Sequence, residues 1–256
     1  MKLLTFIFIF FYSYTGNIFA ELFNASEFRL KNGLKVIVVE NDRAPIVSQM
    51  IWYNVGSVDE EYGKSGLAHF LEHLMFKGTT KFPNGYFSKY ISKNGGSENA
   101  FTSFDYTAYY QIIPSDKVEQ IIELESDRMR NLTLTKEQVE TEKKVILEER
   151  YQRIDSSPSA ILDESMRKSL FPNHAYGTPI IGWEHEIVSL NYQDVKQFYK
   201  KYYIPSNATL IFSGDISLEK AKRLAKKYFG NINVSEKSID RPILYDPVIK
   251  PSIRIN

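Results

Sequence analysis

Apolar and polar positions alternate from Phe28 to Val39 around Asn32-Gly33, and an Asn-Gly break inside an alternating run predicts a β-hairpin. Pro45 to Val55 reads as a further strand. Lys64 to Lys77 takes up a helical period, and Asn84 to Lys93 predicts a second helix that Gly95-Gly96 ends. Ser97 to Ser103 and Tyr106 to Ile113 read as two strands, the second rich in Tyr and Ile. Asp116 to Asn131 and Thr135 to Ile154 are helical by pattern, the latter opened by Thr135 as cap with Gln138 three residues on. A helix follows Pro158, then a Pro/Gly loop from Pro172 to Gly182, a helix over Tyr192 to Tyr203, a strand over Ala208 to Ser213 and a helix over Leu218 to Phe229. Strands and helices are mixed without strict alternation, which favours an α+β fold over a doubly wound parallel sheet.

The two ends read differently. Lys2 precedes an apolar stretch from Leu3 to Phe11, and Ala20 offers a small residue at a cut point, so residues 1–20 predict a secretory signal peptide and a periplasmic or secreted protein. The stretch is shorter than a spanning helix needs, so no stable membrane span is expected; an uncleaved N-terminal anchor is the alternative. Pro242, Pro247 and Pro251 give residues 241–256 a linker composition, leaving 21–240 as the folded domain. Of the 256 residues, 43% are hydrophobic and 25% charged, an ordinary globular balance. Lys+Arg at 32 against Asp+Glu at 31 argues against holding nucleic acid or anionic membrane by bulk charge. With no cysteine, thiol catalysis, iron–sulfur clusters and Cys-based zinc sites are excluded, so any metal must be held by His, Asp or Glu.

On a helical wheel, Leu67, Phe70, Leu71, Leu74 and Met75 form one apolar stripe, while His69, Glu72 and His73 share the opposite side with Phe76. Imidazoles at i and i+4 stand one turn apart, the separation two ligands of one metal ion require, and Glu72 lies beside them. Only four histidines occur in the chain, which makes this pairing informative. Glu142 and Glu149 lie nearly two helical turns apart, within roughly 20° of one face, among Val139, Val145 and Ile146. Two carboxylates on an apolar stripe are costly to bury unless a positive charge compensates them. A metal ion held by the histidine pair would do so, and His₂Glu is a standard catalytic zinc set. His174 reads as structural, since irregular loops use polar side chains to satisfy backbone groups, and His185 as a solvated surface residue.

His69-Phe70-Leu71-Glu72-His73 is the inverted motif of the inverzincins. With Gly66 to Thr79, Gly95 to Thr102 and Glu142 to Glu149 around it, the chain closely resembles the pitrilysin, insulysin and mitochondrial processing peptidase family, from about Phe28 to Gly230. Pattern and resemblance together imply an α+β domain of metallopeptidase type, with a mixed, largely antiparallel sheet packed against helices. The resemblance implies that His69, His73 and Glu149 bind one Zn²⁺ and that Glu72 is the general base of an endopeptidase acting on extended or unfolded peptides. It makes Glu142 a supporting glutamate that orients a ligand histidine. It also makes Ser97 to Thr102 an edge strand to which substrate adds, with Asn99, Ala100, Phe101 and Thr102 as the binding residues.

Family members enclose substrate between two clam-shell halves, each of two related domains. This chain matches the first such domain and a linker, so the resemblance implies a homo- or hetero-oligomeric partner supplying the second half, or a shortened gene product. A non-catalytic, zinc-binding assembly subunit is the alternative to the peptidase. The complete set of His69, Glu72, His73 and Glu149 favours the enzyme, because scaffold members of the family generally lack it.

Overall fold

The structure, a computed structural model, describes residues 24–233. The expected leader at 1–20 and linker at 241–256 lie outside the described residues. Six strands form one sheet in the order β1-β2-β6-β3-β5-β4: β1 (Ala25–Arg29), β2 (Lys35–Glu40), β3 (Ile46–Tyr53), β4 (Ser97–Thr102), β5 (Thr107–Pro114) and β6 (Ala208–Gly214). Only the β2–β6 pair is parallel. Eight helices complete the described fold: α1 (Leu67–Leu74), α2 (Tyr86–Lys93), α3 (Val118–Asn131), α4 (Lys136–Arg150), α5 (Pro158–Leu170), α6 (Glu184–Ser189), α7 (Tyr192–Tyr202) and α8 (Leu218–Phe229). The α+β fold with a mixed, largely antiparallel sheet is the one the pattern and the resemblance implied.

Strand alternation decides which side is core. Val36 and Val38 on β2 pair in register with Leu210 and Phe212 on β6, and all four are fully buried. Val47, Ile51 and Tyr53 on β3 face the same side, where Val118, Ile121 and Ile122 of α3 and Leu224, Ala225 and Phe229 of α8 close over them. Each such Leu, Ile or Phe contributes about 1.5–3 kcal/mol by leaving water. The β1–β2 hairpin is tied to the end of α8 through the Asn32 amide, which donates to the carbonyls of Phe229 (2.7 Å) and Ile232 (3.1 Å).

Four elements differ from the sequence pattern, the first being β1, which runs over Ala25–Arg29 and overlaps the strand expected from Phe28 at two residues only. The helix expected from Lys64 begins only at Leu67, because Gly66 is left-handed (φ 85°). The helix expected to run from Thr135 to Ile154 keeps its predicted Thr135–Gln138 capping box but stops at Arg150, where Tyr151–Asp155 winds into a π-helical turn. Val145, expected on the inner face of that helix, is exposed, whereas Val139 and Ile146 are buried. The short helix α6 had no periodic signal of its own.

Candidate metal centre and substrate groove

The site is built on α1 and α4, which pack against each other. Buried Leu67, Phe70, Leu71 and Leu74 fix the rotation of α1, and that rotation turns His69, Glu72 and His73 toward α4 and β4. The start of α1 is held from outside the helix. Glu60 accepts the Gly66 and Ala68 amides at 3.0 and 2.7 Å, satisfying donors that every helix N-terminus leaves free. Glu186 accepts the Ser65 amide at 2.7 Å.

Three ligand-type atoms converge. Glu149 Oε2 lies 3.3 Å from His73 Nε2 and 3.8 Å from His69 Nε2, and the candidate ligand atoms of the three residues all fall within 4.8 Å of one another. Two atoms each ~2.1 Å from a tetrahedral ion stand roughly 3.4 Å apart, so the carboxylate–imidazole spacings suit zinc. The donor chemistry fits as well. Burial first, then the charges of His73 and Arg153, pull the His69 imidazole down to about 3, so it stays neutral, the form that binds metal. Its Nδ1 is buried without a hydrogen-bond partner.

His73 is held differently. Its Nδ1–H donates to Glu142 at 3.0 Å, which leaves the Nε2 lone pair facing Glu149. Burial alone would lower this imidazole, but the Glu142 bond and the charges of Glu149, Glu142 and Glu72 raise it overall. The His73 bond and the Lys77 ammonium together outweigh burial and hold the Glu142 carboxyl down to about 2. Arg153 pairs with Glu149 Oε1 at 2.9 Å, leaving Oε2 to face the imidazoles.

Glu72, 9% exposed, is pushed up by burial, an effect that the hydroxyl of Thr102 partly offsets by donating to Oε2 at 2.5 Å. Thr107 spends its own hydroxyl proton on the Val55 carbonyl (2.9 Å). Thr102, expected to bind substrate, therefore reaches the carboxylate of Glu72 with its side chain.

Among the described residues β4 pairs only with β5, which leaves its outer edge without a strand partner there. Ser103 N–H donates to the Tyr106 carbonyl, and strand alternation then points the Ala100 and Thr102 amides outward. The Asn99 side chain accepts the Ala100 amide at 2.9 Å, covering one of those donors. Along this edge runs a groove of about 780 Å³, lined by His69, Glu72, His73, Glu149, Asn99 to Thr102 and, opposite, α5 and residues 179–181. His69, Glu72, His73, Glu149 and Asn99 to Thr102 thus line one groove, with Glu142 behind it on His73. Lys77, Arg153, Glu60 and Glu186 were missed as supports. Lys77 and Arg153 stand at i+4 from His73 and Glu149, a helical spacing that was there to be used. His174 accepts the Tyr176 amide and caps its own turn, and His185 is exposed, as expected of both.

Residues 35–184 match the family model of insulinase (peptidase family M16), and residues 189–256 match that of the peptidase M16 inactive domain. β6, within the second match, sits between β2 and β3 of the first. The chain is 36% identical to the zinc protease PqqE of Helicobacter pylori over 85% of this chain and 50% of that protein. It is 29% identical to the mitochondrial-processing peptidase subunit beta of Dictyostelium discoideum over 88% and 48%. Among solved structures it resembles a protease from Helicobacter pylori (TM-score 0.81, 35% identity, 88% of this chain and 55% of that one). It also resembles the first half of the periplasmic protease PqqL from Escherichia coli (TM-score 0.78, 26% identity, 85% and 48%). The chain spans about half the length of the curated relatives it matches.

Proposed function

Because the chain belongs to the insulinase family, peptidase family M16, we propose that it is a zinc-dependent endopeptidase cutting extended or unfolded peptides, with Glu72 as general base. The observation that carries this reading is the convergence of His69 Nε2, His73 Nε2 and Glu149 Oε2 beside the outer edge of β4, where Thr102 holds the buried Glu72 carboxylate in the same groove. His69, His73 and Glu149 would hold one Zn²⁺, which supplies Lewis-acid polarisation of water and of the peptide carbonyl. Glu142 keeps His73 in the tautomer whose Nε2 is free. Thr102 holds one oxygen of Glu72, so the other takes the proton of the attacking water and returns it to the departing amine. Ala100 and Thr102 pair with substrate backbone, Asn99 giving up the Ala100 amide, and Phe101 lines the same groove. Main-chain pairing binds extended peptides with little sequence preference.

Three further elements belong to the proposal. Residues 21–240 form the catalytic domain and 241–256 a linker. A partner, whether a second copy or another chain, supplies the other half of a closed chamber, consistent with the half-length match to relatives. Residues 1–20 direct export to the periplasm or beyond. Among the described residues, no helix is long and apolar enough to cross a membrane. The alternative, a zinc-binding subunit without turnover, is separated by one experiment. A quenched fluorescent peptide is assayed with wild type and Glu72→Gln, each with and without co-purifying partner. The peptidase reading expects zinc in both and a ~10²–10⁴-fold lower rate in the variant. Equal rates with zinc bound in both would leave the assembly subunit standing.

A further inference from the structure

The far wall of the groove is helix α5, and its placement needs an explanation. None of its residues is buried, and only Ala160, Glu164 and Arg167 are even half-buried. These three, at i, i+4 and i+7, form the stripe that lines the groove. Leu162, Met166 and Leu170 point out to solvent. Apolar burial on the core therefore does little to hold α5; beside the Arg167 guanidinium over the Phe104 ring, the helix has a buried polar link to the rest of the site.

Arg150 is that link. It is the last residue of α4, next to Glu149, and only 6% exposed. Its guanidinium grips Glu164 with both arms, Nη1 to Oε2 at 2.9 Å and Nη2 to Oε1 at 3.0 Å. Nη1 also donates to the Gly182 carbonyl at 2.8 Å, and Nη2 stands 3.3 Å from Asp155 in the π-helical turn. Gly182 belongs to the loop whose Ile180 and Ile181 line the groove, and the amide of the next residue, Trp183, donates to the Ser65 hydroxyl at the start of α1. One buried cation thus joins the helix bearing Glu149, the wall helix and the loop abutting the histidine helix.

We infer that Arg150 is a positioning residue that sets the width of the substrate groove, holding α5 at a fixed distance from the β4 edge so that an extended peptide is gripped on both sides. This rests on the peptidase reading of the groove. A bidentate fork with a third acceptor is a geometry lysine cannot reproduce, so charge alone does not substitute for it.

The test uses the full-length, zinc-loaded protein as wild type, Arg150→Lys, Glu164→Gln and the double variant. Amide hydrogen exchange reports on the wall without requiring activity, and exchange in α5 is expected to accelerate at least tenfold in both single variants while α1 and α4 keep their protection. Placed in a Glu72→Gln background, the same variants should bind a fluorescent extended peptide at least tenfold more weakly, with zinc content unchanged. In the active background the loss should fall on KM more than on kcat. The double variant should be no worse than the worse single variant, because both remove the same link. Unchanged exchange in α5 in both single variants would overturn the inference, as would faster exchange with undiminished peptide affinity. Failure of the peptidase reading looks different: wild type would bind no peptide although exchange still responded to the substitutions, and the assigned role in binding would fall with it. Should Arg150→Lys fail to fold, Glu164→Gln leaves the buried cation in place and decides alone.

Discussion

His69 and His73 sit one turn apart on one helix, yet the protein treats them oppositely. His69 is buried with no acidic hydrogen-bond partner and is held down to about 3, while Glu142, Glu149 and Glu72 raise His73. For the metal-free chain the sign follows. A group whose folded value lies below its unfolded value adds stability that is complete above the unfolded value and is lost as pH falls toward the folded one. The His69 contribution is therefore full above about pH 6.5 and declines steadily toward about pH 3. Urea unfolding of metal-free wild type and His69→Asn should show wild type losing stability relative to the variant between pH 7 and pH 4.5; a pH-independent difference would contradict this. Helical period made the two histidines and both glutamates legible in the sequence. The hydroxyl of Thr102 on Glu72 was not, because a strand pattern says which side a residue faces and not which carboxylate approaches it from another element.

At the scale of elements, the entry to α1 governs the site. Gly66 occupies the left-handed region, and a Cβ there would stand 2.4 Å from the Ile181 carbonyl oxygen. Both the backbone conformation and the close approach demand glycine. Gly66→Ala should cost about 2 kcal/mol or more in unfolding free energy, read from the denaturant midpoint, and should lower zinc affinity by displacing His69; a change under about 0.5 kcal/mol would contradict the account. Element existence was well marked by periodicity: β2 to β6, α2, α3, α7 and α8 lie where the pattern put them, whereas β1 lies at Ala25–Arg29, mostly upstream of the expected start at Phe28. The missing signals were those set by distant partners. Glu60 and Glu186 support the start of α1 from other elements, and the end of α4 at Arg150 coincides with that residue's bonds to Glu164 and Gly182. A single strand of sequence carries no record of such meetings.

At the scale of the whole molecule, a buried ion pair within α3 packs against the sheet through Tyr109 of β5. Arg128, 2% exposed, holds Glu125, 0% exposed, at 2.6 and 2.8 Å and lies over the rings of Phe76, Phe87 and Tyr109. Removing one partner strands a charge in the core, so Arg128→Met should destabilise by about 3–5 kcal/mol, and adding Glu125→Leu should recover much of that loss. Equal unfolding midpoints for the single and double variants would argue against an uncompensated carboxylate as the cause. The same framework brings α1, α4 and β4 to one groove, and the account stands or falls on what that groove holds. The most direct measurement is anomalous X-ray scattering at the zinc edge from crystals grown with zinc. The account predicts one peak ~2.0–2.2 Å from His69 Nε2, His73 Nε2 and Glu149 Oε2. A peak elsewhere, or none with the Glu149 carboxylate turned from both imidazoles, would contradict it.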